Sequence, residues 1–318
     1  MKCRICGSER AHKVHQAREM MYGTRDVHSY IECGDCGCLQ IEHIPVDMGR
    51  YYGANYYSFN QPTKSHLRRW LASQRDRYAV LGSGVVGRIL NSKSPTSQFD
   101  FLQPIQDSIT EGTRVLDVGC GAGQLLRSLR SAGMTNVIGV DPFLDSDIEV
   151  SGQCLVRKAN LGDMVGPFDL IMLHHSFEHM PEQQGTLQAV NSLLSPDGIC
   201  IVRVPLVSSK AWRQYGVNWV QLDAPRHFYL HTSNSLTLVA ERAGFECFDI
   251  RYDSGAFQFW GSEQYVRDIP LRDPSSYAIN PSHSPFVASE IAQFALEAAR
   301  LNSINDGDQA AFYLRRKA

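Results

Sequence analysis

The sequence lacks a long apolar run, a strong net charge and an internal repeat. Apolar runs such as residues 170–173 are far too short to span a bilayer, and the first 20 residues carry charges throughout. The formal net charge is −2, so the composition gives no general attraction to nucleic acid or to an anionic membrane. These absences predict a cytoplasmic protein that neither inserts into a membrane nor binds nucleic acid.

A disulfide scaffold is not indicated either, although the chain contains nine cysteines. Five of them lie within the first 38 residues, and the others are scattered: Cys120, Cys154, Cys200 and Cys247. A secreted disulfide-rich domain is short and cysteine-dense over its whole length. The distribution therefore favours a reducing compartment and a different use for the N-terminal cysteines.

The N-terminal cysteines form two C-x-x-C-G motifs. Each motif places two thiolates on a tight turn, and two such turns complete a closed tetrahedral site for a structural zinc ion. The predicted zinc ligands are Cys3, Cys6, Cys33 and Cys36. Cys38 and His28 are alternative ligands. A redox role for one motif would require a thioredoxin-like context, which the surrounding sequence does not provide.

From residue 110 onward, short apolar strands alternate with helical segments. Strands are predicted at 114–118, 137–140, 154–157, 168–173, 198–204, 245–251 and 310–315. Helices are predicted at 124–132, 182–194 and 233–243. Buried strands separated by helices predict an α/β fold, with a mostly parallel sheet covered by helices on both faces.

The pattern divides the chain into three segments. Residues 1–48 are the zinc-binding module, and residues 49–109 are a tyrosine-rich connector followed by a helical segment. Residues 110–318 are the α/β domain, with an insertion at about 253–308 that contains proline-rich loops and a helix at 286–302. Long insertions of this kind usually serve function or an interface.

Residues 115–123, Val-Leu-Asp-Val-Gly-Cys-Gly-Ala-Gly, are an apolar strand followed by a glycine-rich turn that opens into a helix. The three glycines let the backbone turn tightly and approach a ligand. Asp141 ends the next strand, at a spacing that suits a carboxylate accepting both ribose hydroxyls. Asp117, inside the first strand, argues against a pyrophosphate and suits the α-ammonium of an amino acid.

This run resembles motif I of the class I S-adenosylmethionine-dependent methyltransferases. The resemblance extends over residues 110–252, where 168–180 resembles the fourth-strand motif and 193–198 the turn before the fifth strand. It implies a Rossmann-like fold and S-adenosylmethionine as cofactor, with adenine contacts from the segment after the third strand. The implied cofactor-binding residues are Asp117, Gly119, Cys120, Gly121, Gly123, Asp141, Asn160, Leu161, Asp163 and His174.

The cysteine motifs, the connector and the methyltransferase region together resemble the zinc-ribbon methyltransferases of bacterial sugar and cell-surface glycan biosynthesis. That group includes deoxysugar C-methyltransferases, which carry a substantial extra C-terminal domain that this sequence does not show. Sugar C-methylation is therefore one option among several. The connector tyrosines are expected either to cover the cofactor or to pack the module against the domain: Tyr51, Tyr52, Tyr56 and Tyr57.

Histidines and a glutamate follow the fourth and fifth strands, where an open α/β sheet binds its ligands. We assign the catalytic role to His175, Glu178, His179 and His227. In this assignment His179 or His227 removes the acceptor proton, because a histidine of near-neutral pKa suits that task. Glu178 orients the imidazole, and His175 lines the acceptor side.

Two other interpretations of these residues stay open. The Glu178–His179 pair resembles that of ubiquinone-pathway and small-RNA-end O-methyltransferases, where such residues and a later histidine hold a divalent metal. The residue three positions before the glutamate is typically acidic there, whereas here it is His175, which disfavours a hard metal such as magnesium. Alternatively, Glu178 and His179 cap a helix and satisfy buried backbone groups.

The sequence therefore predicts a methyltransferase that acts on a small-molecule acceptor. A sugar or nucleotide sugar of surface glycan or secondary metabolite biosynthesis is the first expectation. An O-methyltransferase acting on a quinone, lipid or other metabolite is the first alternative. A protein that binds or modifies nucleic acid through its zinc ribbon is the second, although the charges of residues 1–48 are balanced.

Overall fold

The computed structural model describes residues 2–53 and 66–317, so Tyr56 and Tyr57 lie outside the described residues. The chain forms two compact units. The first, here called the cysteine-rich unit, takes in residues 2–53, 175–187 and 202–317. The second, the sheet unit, takes in residues 66–174 and 188–201.

The cysteine-rich unit begins with three antiparallel strands, β1 (Lys13–Arg18), β2 (Val27–Glu32) and β3 (Leu39–Ile41). Hydrophobic periodicity does not reveal β1, since that strand buries only Ala17 and exposes Val14. Backbone pairing holds it instead, with Lys13 opposite Glu32 and Arg18 opposite Val27.

The sheet unit begins with the helices α1 (His66–Leu81) and α2 (Val85–Lys93), followed by a 3-10 segment at Asp100–Ser108. This agrees with the helical segment predicted within residues 49–109. Helix α2 approaches α1 closely at Gly87, where a Cβ atom would lie 2.2 Å from the carbonyl oxygen of Gln74. Glycine is therefore the residue that this crossing permits.

Five strands form the sheet of this unit: β4 (Val115–Val118), β5 (Val137–Val140), β6 (Ile148–Val150), β7 (Gln153–Arg157) and β8 (Phe168–His174). Their order is β8-β4-β5-β7-β6. All neighbours in this order run parallel except β6 and β7. Strand β4 is buried along its whole length, as a central parallel strand should be.

Helix α3 (Gln124–Ser131) follows β4 and lies in the sheet unit. Helix α4 (Gln183–Leu193) and strand β9 (Leu194–Pro205) each contribute residues to both units. The predicted strand at 198–204 thus begins four residues earlier than expected. The strands β4, β5, β7 and β8 match their predictions to within one residue at each end.

The remaining elements belong to the cysteine-rich unit: α5 (Lys210–Tyr215), β10 (Tyr229–Leu230), α6 (Ser233–Arg242), β11 (Phe245–Tyr252), α7 (Phe257–Val266), α8 (Ala288–Ser303) and β12 (Gln309–Arg316). Strand β10 pairs with β3 and extends the N-terminal sheet to the order β1-β2-β3-β10. Strands β11 and β12 pair antiparallel.

The predicted α/β fold of Rossmann-like type is confirmed, because parallel strands alternate along the chain with helices. The sheet of the sheet unit is mixed, since β6 pairs antiparallel with β7, but its other neighbouring strands run parallel, in agreement with the mostly parallel sheet predicted. No helix among residues 2–53 and 66–317 combines the length and apolarity needed to cross a bilayer.

Candidate functional site

The glycine-rich turn of the sheet unit follows β4 and leads into α3. Gly119, Gly121 and Gly123 have φ angles of +72°, +52° and +71°, in the region that disfavours any side chain. A Cβ atom on Gly123 would also lie 2.6 Å from Cγ2 of Val156. The turn thus needs glycine for its backbone conformation and, at Gly123, for its packing.

Asp141 closes this turn from the end of β5. Its Oδ2 atom accepts a hydrogen bond from the backbone N–H of Gly121 at 2.9 Å. Its Oδ1 atom accepts from the N–H of Phe143, also at 2.9 Å. Each carboxylate oxygen keeps a further acceptor position, so Asp141 can receive ribose hydroxyls while it holds the turn.

Asp117 is buried inside β4, and its Oδ1 atom has no hydrogen-bond partner among the residues that the structure describes. Burial, together with the nearby carboxylate of Asp141, raises the pKa of Asp117 to about 7. A buried carboxylate oxygen without a partner is costly, and a ligand ammonium group is the type of partner that removes the cost. The residues of the turn therefore fit the amino-acid end of S-adenosylmethionine.

The other predicted cofactor residues are spread along the sheet unit. Burial raises the pKa of the Cys120 thiol, so this group stays protonated. Asn160 and Asp163 bracket the short 3-10 turn Leu161–Asp163, and the N–H of Asn160 donates to Oδ2 of Asp163 at 2.9 Å. The ring of His174 packs against Phe101, with centroids 4.8 Å apart.

The four predicted zinc ligands lie together in the cysteine-rich unit, with all four Sγ atoms within 4.8 Å of one another. The Sγ atoms of Cys3 and Cys36 are 3.7 Å apart, and those of Cys6 and Cys33 are 3.5 Å apart. Four sulfurs placed tetrahedrally about 2.3 Å from a zinc ion would be separated by about 3.8 Å. The cysteines are unbonded to each other, so the donor set fits a closed four-thiolate site.

Local turns hold these cysteines. The N–H of Gly7 donates to the carbonyl of Cys3 at 2.9 Å, and that of Gly37 donates to the carbonyl of Cys33 at 3.0 Å. Gln40 of β3 donates through Nε2 to the Cys3 sulfur at 3.1 Å, a contact of the kind that stabilises a bound thiolate. Among the described residues, the group of ligand atoms within 4.8 Å of one another does not include Cys38 or His28. The Cys38 Sγ instead contacts the carbonyl of Leu39, and His28 packs against Tyr51.

A second cluster of the cysteine-rich unit contains Glu178, His179 and His227, whose potential ligand atoms all lie within 4.8 Å of one another. Glu178 is 1% exposed, and neither of its carboxylate oxygens has a hydrogen-bond partner among the described residues. The Oε1 atom lies 3.5 Å from Nδ1 of His175 and 3.9 Å from Nε2 of His227. A buried carboxylate is thus surrounded by three imidazole rings.

Backbone carbonyls orient two of these rings. Nδ1 of His179 lies 2.8 Å from the carbonyl oxygen of Arg226, and Nδ1 of His227 lies 2.8 Å from that of Gln221. A carbonyl oxygen only accepts, so both Nδ1 atoms carry the proton and both Nε2 atoms keep a lone pair. The rings meet edge to face, with centroids 4.7 Å apart.

His175 is held differently. It lies directly after β8 with a φ angle of +54°, and its Nε2 atom is 2.8 Å from Nη1 of Arg203. A guanidinium group only donates, so Nε2 of His175 accepts and Nδ1 carries the proton that points towards Glu178. The structure therefore brings His175 together with the other three predicted catalytic residues, with both of its ring nitrogens engaged.

The charges of this cluster favour an ionised glutamate and a neutral histidine. Burial by itself would raise the pKa of Glu178, but His175, His179 and His227 lower that pKa to about 2. Burial, followed by the neighbouring His227, lowers the pKa of His179. At neutral pH the cluster therefore holds a carboxylate beside an imidazole able to accept a proton.

Sequence patterns do not identify the residues that support this cluster. Arg203 lies within β9, Gln221 lies in a 3-10 turn, and Arg226 directly precedes His227. Arg226 is fully buried and donates to Asp223 and Glu19, at 2.6 and 3.0 Å. An arginine directly before a predicted catalytic histidine is the local sequence signal that could have indicated this network.

Comparisons with known proteins give one family. A family model described as a methyltransferase domain matches residues 90–250. The ubiquinone biosynthesis O-methyltransferase of Chromobacterium violaceum is 30% identical over 98 residues, which cover 27% of this chain and 42% of that protein. The protein of the same name from Bordetella avium is 26% identical over 166 residues, which cover 47% of this chain and 68% of that protein.

The chain thus spans less than half the length of the first of these relatives. Among solved structures, a SAM-dependent methyltransferase from Archaeoglobus fulgidus matches with a TM-score of 0.44 and 19% identity. That match covers 72% of this chain and 99% of the other.

Proposed function

Because the chain belongs to the methyltransferase-domain family and is an S-adenosylmethionine-dependent methyltransferase, we propose that it methylates a hydroxyl group of a small acceptor. We propose a sugar or nucleotide sugar as the acceptor class to be tested before the alternatives. The observation that carries the proposal is the buried Glu178 carboxylate, which faces imidazoles whose Nε2 atoms keep a lone pair. An alcohol must lose its proton as it is methylated, and this cluster is suited to receive it.

The cofactor residues follow from the turn after β4. In this proposal Asp141 accepts the ribose hydroxyls, and Asp117 pairs with the α-ammonium group of S-adenosylmethionine. Gly119, Gly121 and Gly123 let the backbone approach the cofactor. Asn160, Leu161 and Asp163 supply the adenine contacts, and His174 borders the methyl group.

The chemical step needs alignment and one proton transfer. The acceptor oxygen forms a bond to the methyl carbon as the carbon–sulfur bond of the sulfonium breaks and its electron pair stays on sulfur. Nε2 of His227 or His179 takes the hydroxyl proton, and the Glu178 carboxylate stabilises the imidazolium that forms. The protonated Nδ1 of His175 lies 3.5 Å from Oε1 of Glu178 and adds to the positive potential around the carboxylate.

A divalent cation is the second candidate for this cluster. One oxygen of Glu178 and the Nε2 atoms of His179 and His227 form a ligand set of two nitrogens and one carboxylate. His175 is engaged by Arg203 and offers no further ligand atom, so the set suits zinc, iron or manganese better than magnesium. A cation bound there would lower the pKa of the acceptor hydroxyl.

One experiment tests the hydroxyl acceptor and separates the two substrate classes. The protein is incubated with S-adenosylmethionine labelled with ¹³C in the methyl group and with a panel of nucleotide sugars and dihydroxybenzoates. We expect a labelled O-methyl product, detected by mass spectrometry and assigned by its ¹³C chemical shift. A product from a dihydroxybenzoate would favour the similarity to ubiquinone-pathway enzymes, whereas C- or N-methyl products would contradict the proposal.

The same assay separates the proton acceptor from the cation. If a histidine alone removes the proton, activity withstands a chelator that leaves the four-cysteine site loaded. If the cation is needed, the chelator abolishes activity, and zinc, iron or manganese restores it.

We also propose that Cys3, Cys6, Cys33 and Cys36 bind one structural zinc ion. Support comes from the sulfur separations of 3.5 and 3.7 Å and from the Gln40 contact to Cys3. Four thiolate ligands leave no open position on the ion, so its contribution would be to folding.

A further inference from the structure

The loop that carries His227 is attached to the cysteine module by backbone pairing. Strand β10, which begins two residues after His227, pairs with β3, with Tyr229 opposite Gln40. The N–H of Ile41 donates to the carbonyl of Phe228 at 2.9 Å. The hydroxyl of the fully buried Tyr30 donates to the carbonyl of His227, also at 2.9 Å.

The same strand pair leads directly to the sulfur cluster. Gln40 faces β10 through the backbone and binds Cys3 through its side chain, at 3.1 Å. The hydroxyl of Thr232, just after β10, donates to the carbonyl of Cys36 at 2.8 Å. Both ends of β10 are therefore fixed to residues that hold, or adjoin, the predicted zinc ligands.

A separate connection reaches His179. The carbonyl of Arg226 accepts the hydrogen bond from Nδ1 of His179, and the guanidinium of Arg226 donates to Glu19 at 3.0 Å. Both partners of that ion pair are fully buried. The Glu19 carboxylate is in turn held by the N–H groups of Tyr22 and Thr24, at 2.9 and 3.0 Å. Removing one partner of such a buried pair leaves the other as an uncompensated buried charge, so this ion pair is costly to break.

We propose that the four-cysteine module is the positioning element for His179 and His227, so that its metal occupancy controls turnover but leaves the affinity for S-adenosylmethionine unchanged. The inference rests on the proposed function, because it assumes that these histidines take the acceptor proton. The proposed cofactor residues belong to the sheet unit, which is compact by itself. We therefore expect the affinity for S-adenosylmethionine to be independent of the metal in the cysteine-rich unit. A displacement of about 1 Å at a reacting group costs about 100-fold in rate.

The test combines removal of the metal with one conservative substitution. Zinc is stripped from the full chain with a chelator under reducing conditions, and turnover, S-adenosylmethionine affinity and hydrogen exchange of residues 226–231 are measured. We expect kcat to fall by about 10²-fold or more, cofactor affinity to stay within about twofold, and exchange of 226–231 to accelerate. Added zinc restores kcat and the slow exchange of 226–231.

Tyr30→Phe gives the second arm, since it keeps the cysteines and removes only the hydroxyl that binds the His227 carbonyl. We expect full zinc content, unchanged cofactor affinity, a fall in kcat of about tenfold and faster exchange of 226–231. Gln16→Ala is the matched control, because Gln16 lies on the same sheet and its exposed side chain hydrogen-bonds the hydroxyl of Ser29.

Unchanged exchange of 226–231 in both the zinc-free protein and Tyr30→Phe would overturn the inference. So would full turnover in both proteins, provided that His179→Gln or His227→Gln is slow. Full turnover in both histidine variants would instead overturn the proposed function, and the exchange measurement, which needs no turnover, would still decide whether the module holds the loop.

Discussion

Arg203 fixes the tautomer of His175. Its Nη1 atom lies 2.8 Å from Nε2 of the ring and can only donate, so the ring proton resides on Nδ1, 3.5 Å from Oε1 of Glu178. Asp253 holds Arg203 through a 2.5 Å contact, and Gln309 donates to Asp253 at 2.7 Å. A chain of polar contacts that begins at Gln309 of β12 therefore determines which ring nitrogen of His175 carries its proton towards Glu178.

Arg203→Met should release this tautomer. We expect the population of the Nδ1–H tautomer of His175 to fall, which ¹⁵N NMR of the labelled side chain detects. We also expect kcat to fall by about tenfold while the affinity for the cofactor stays unchanged. Arg251→Met is the control, because Arg251 forms an exposed pair with Asp249 on β11. An unchanged His175 spectrum would contradict the assigned tautomer.

Asp117 predicts a pH-dependent affinity for the cofactor. Its pKa is raised to about 7, so the carboxylate is protonated at lower pH and ionised at higher pH. Only the ionised form attracts an ammonium group, so affinity for S-adenosylmethionine should weaken by up to about tenfold per unit as pH falls below about 7. Calorimetry between about pH 5.5 and pH 7.5 measures this. Asp117→Asn should bind weakly at every pH, and an equally steep profile in this variant would exclude Asp117.

Asp141 should contribute to cofactor binding beyond its support of the turn. Asp141→Asn keeps one oxygen acceptor but loses the charge, and Asp141→Ala loses both hydrogen bonds to the backbone. We expect Asp141→Ala to weaken binding of S-adenosylmethionine by about 2–3 kcal/mol and Asp141→Asn by less. Asp145→Asn, an exposed carboxylate in the same loop, is the control. Unchanged affinity in Asp141→Ala would remove this residue from the cofactor site.

The four cysteines should bind about one zinc ion per chain. Metal analysis of the purified protein checks the stoichiometry, and the double variant Cys33→Ser, Cys36→Ser should lose the metal. Cys247→Ser should keep it, because Cys247 lies on β11 and belongs to no group of ligand atoms among the described residues. A disulfide within the set, or zinc retained by the double variant, would disprove the assignment.

The sequence predicts those parts of the fold in which hydrophobic periodicity and glycine patterns act locally. Strand β5 is predicted residue for residue because it is short, apolar and bounded by turns. Strand β10 was not predicted, since its two residues become a strand only by pairing with β3, some 190 residues earlier. Strand β1 was missed because one buried alanine leaves no alternating pattern.

The candidate site also contains residues that the sequence predicts and residues that only the structure reveals. The sequence predicts Glu178, His179 and His227 as site residues because they are ionisable and follow strands at the edge where an α/β sheet binds its ligands. It does not identify Arg203 or Gln221, whose contributions depend on a tautomer and on a backbone carbonyl. Contacts that orient a catalytic side chain in this way form only in the folded chain, and no spacing of residue types in the sequence predicts them.

Paired measurements on His179→Gln and His227→Gln test the central claim most directly. With an acceptor identified from the labelled-methyl assay, we expect both variants to bind S-adenosylmethionine as the parent does, because the proposed cofactor residues are untouched. At least one should turn over about 10²–10⁴-fold more slowly, since the acceptor proton then lacks its base. Parent-like turnover in both variants, with or without a chelator present, would contradict the account.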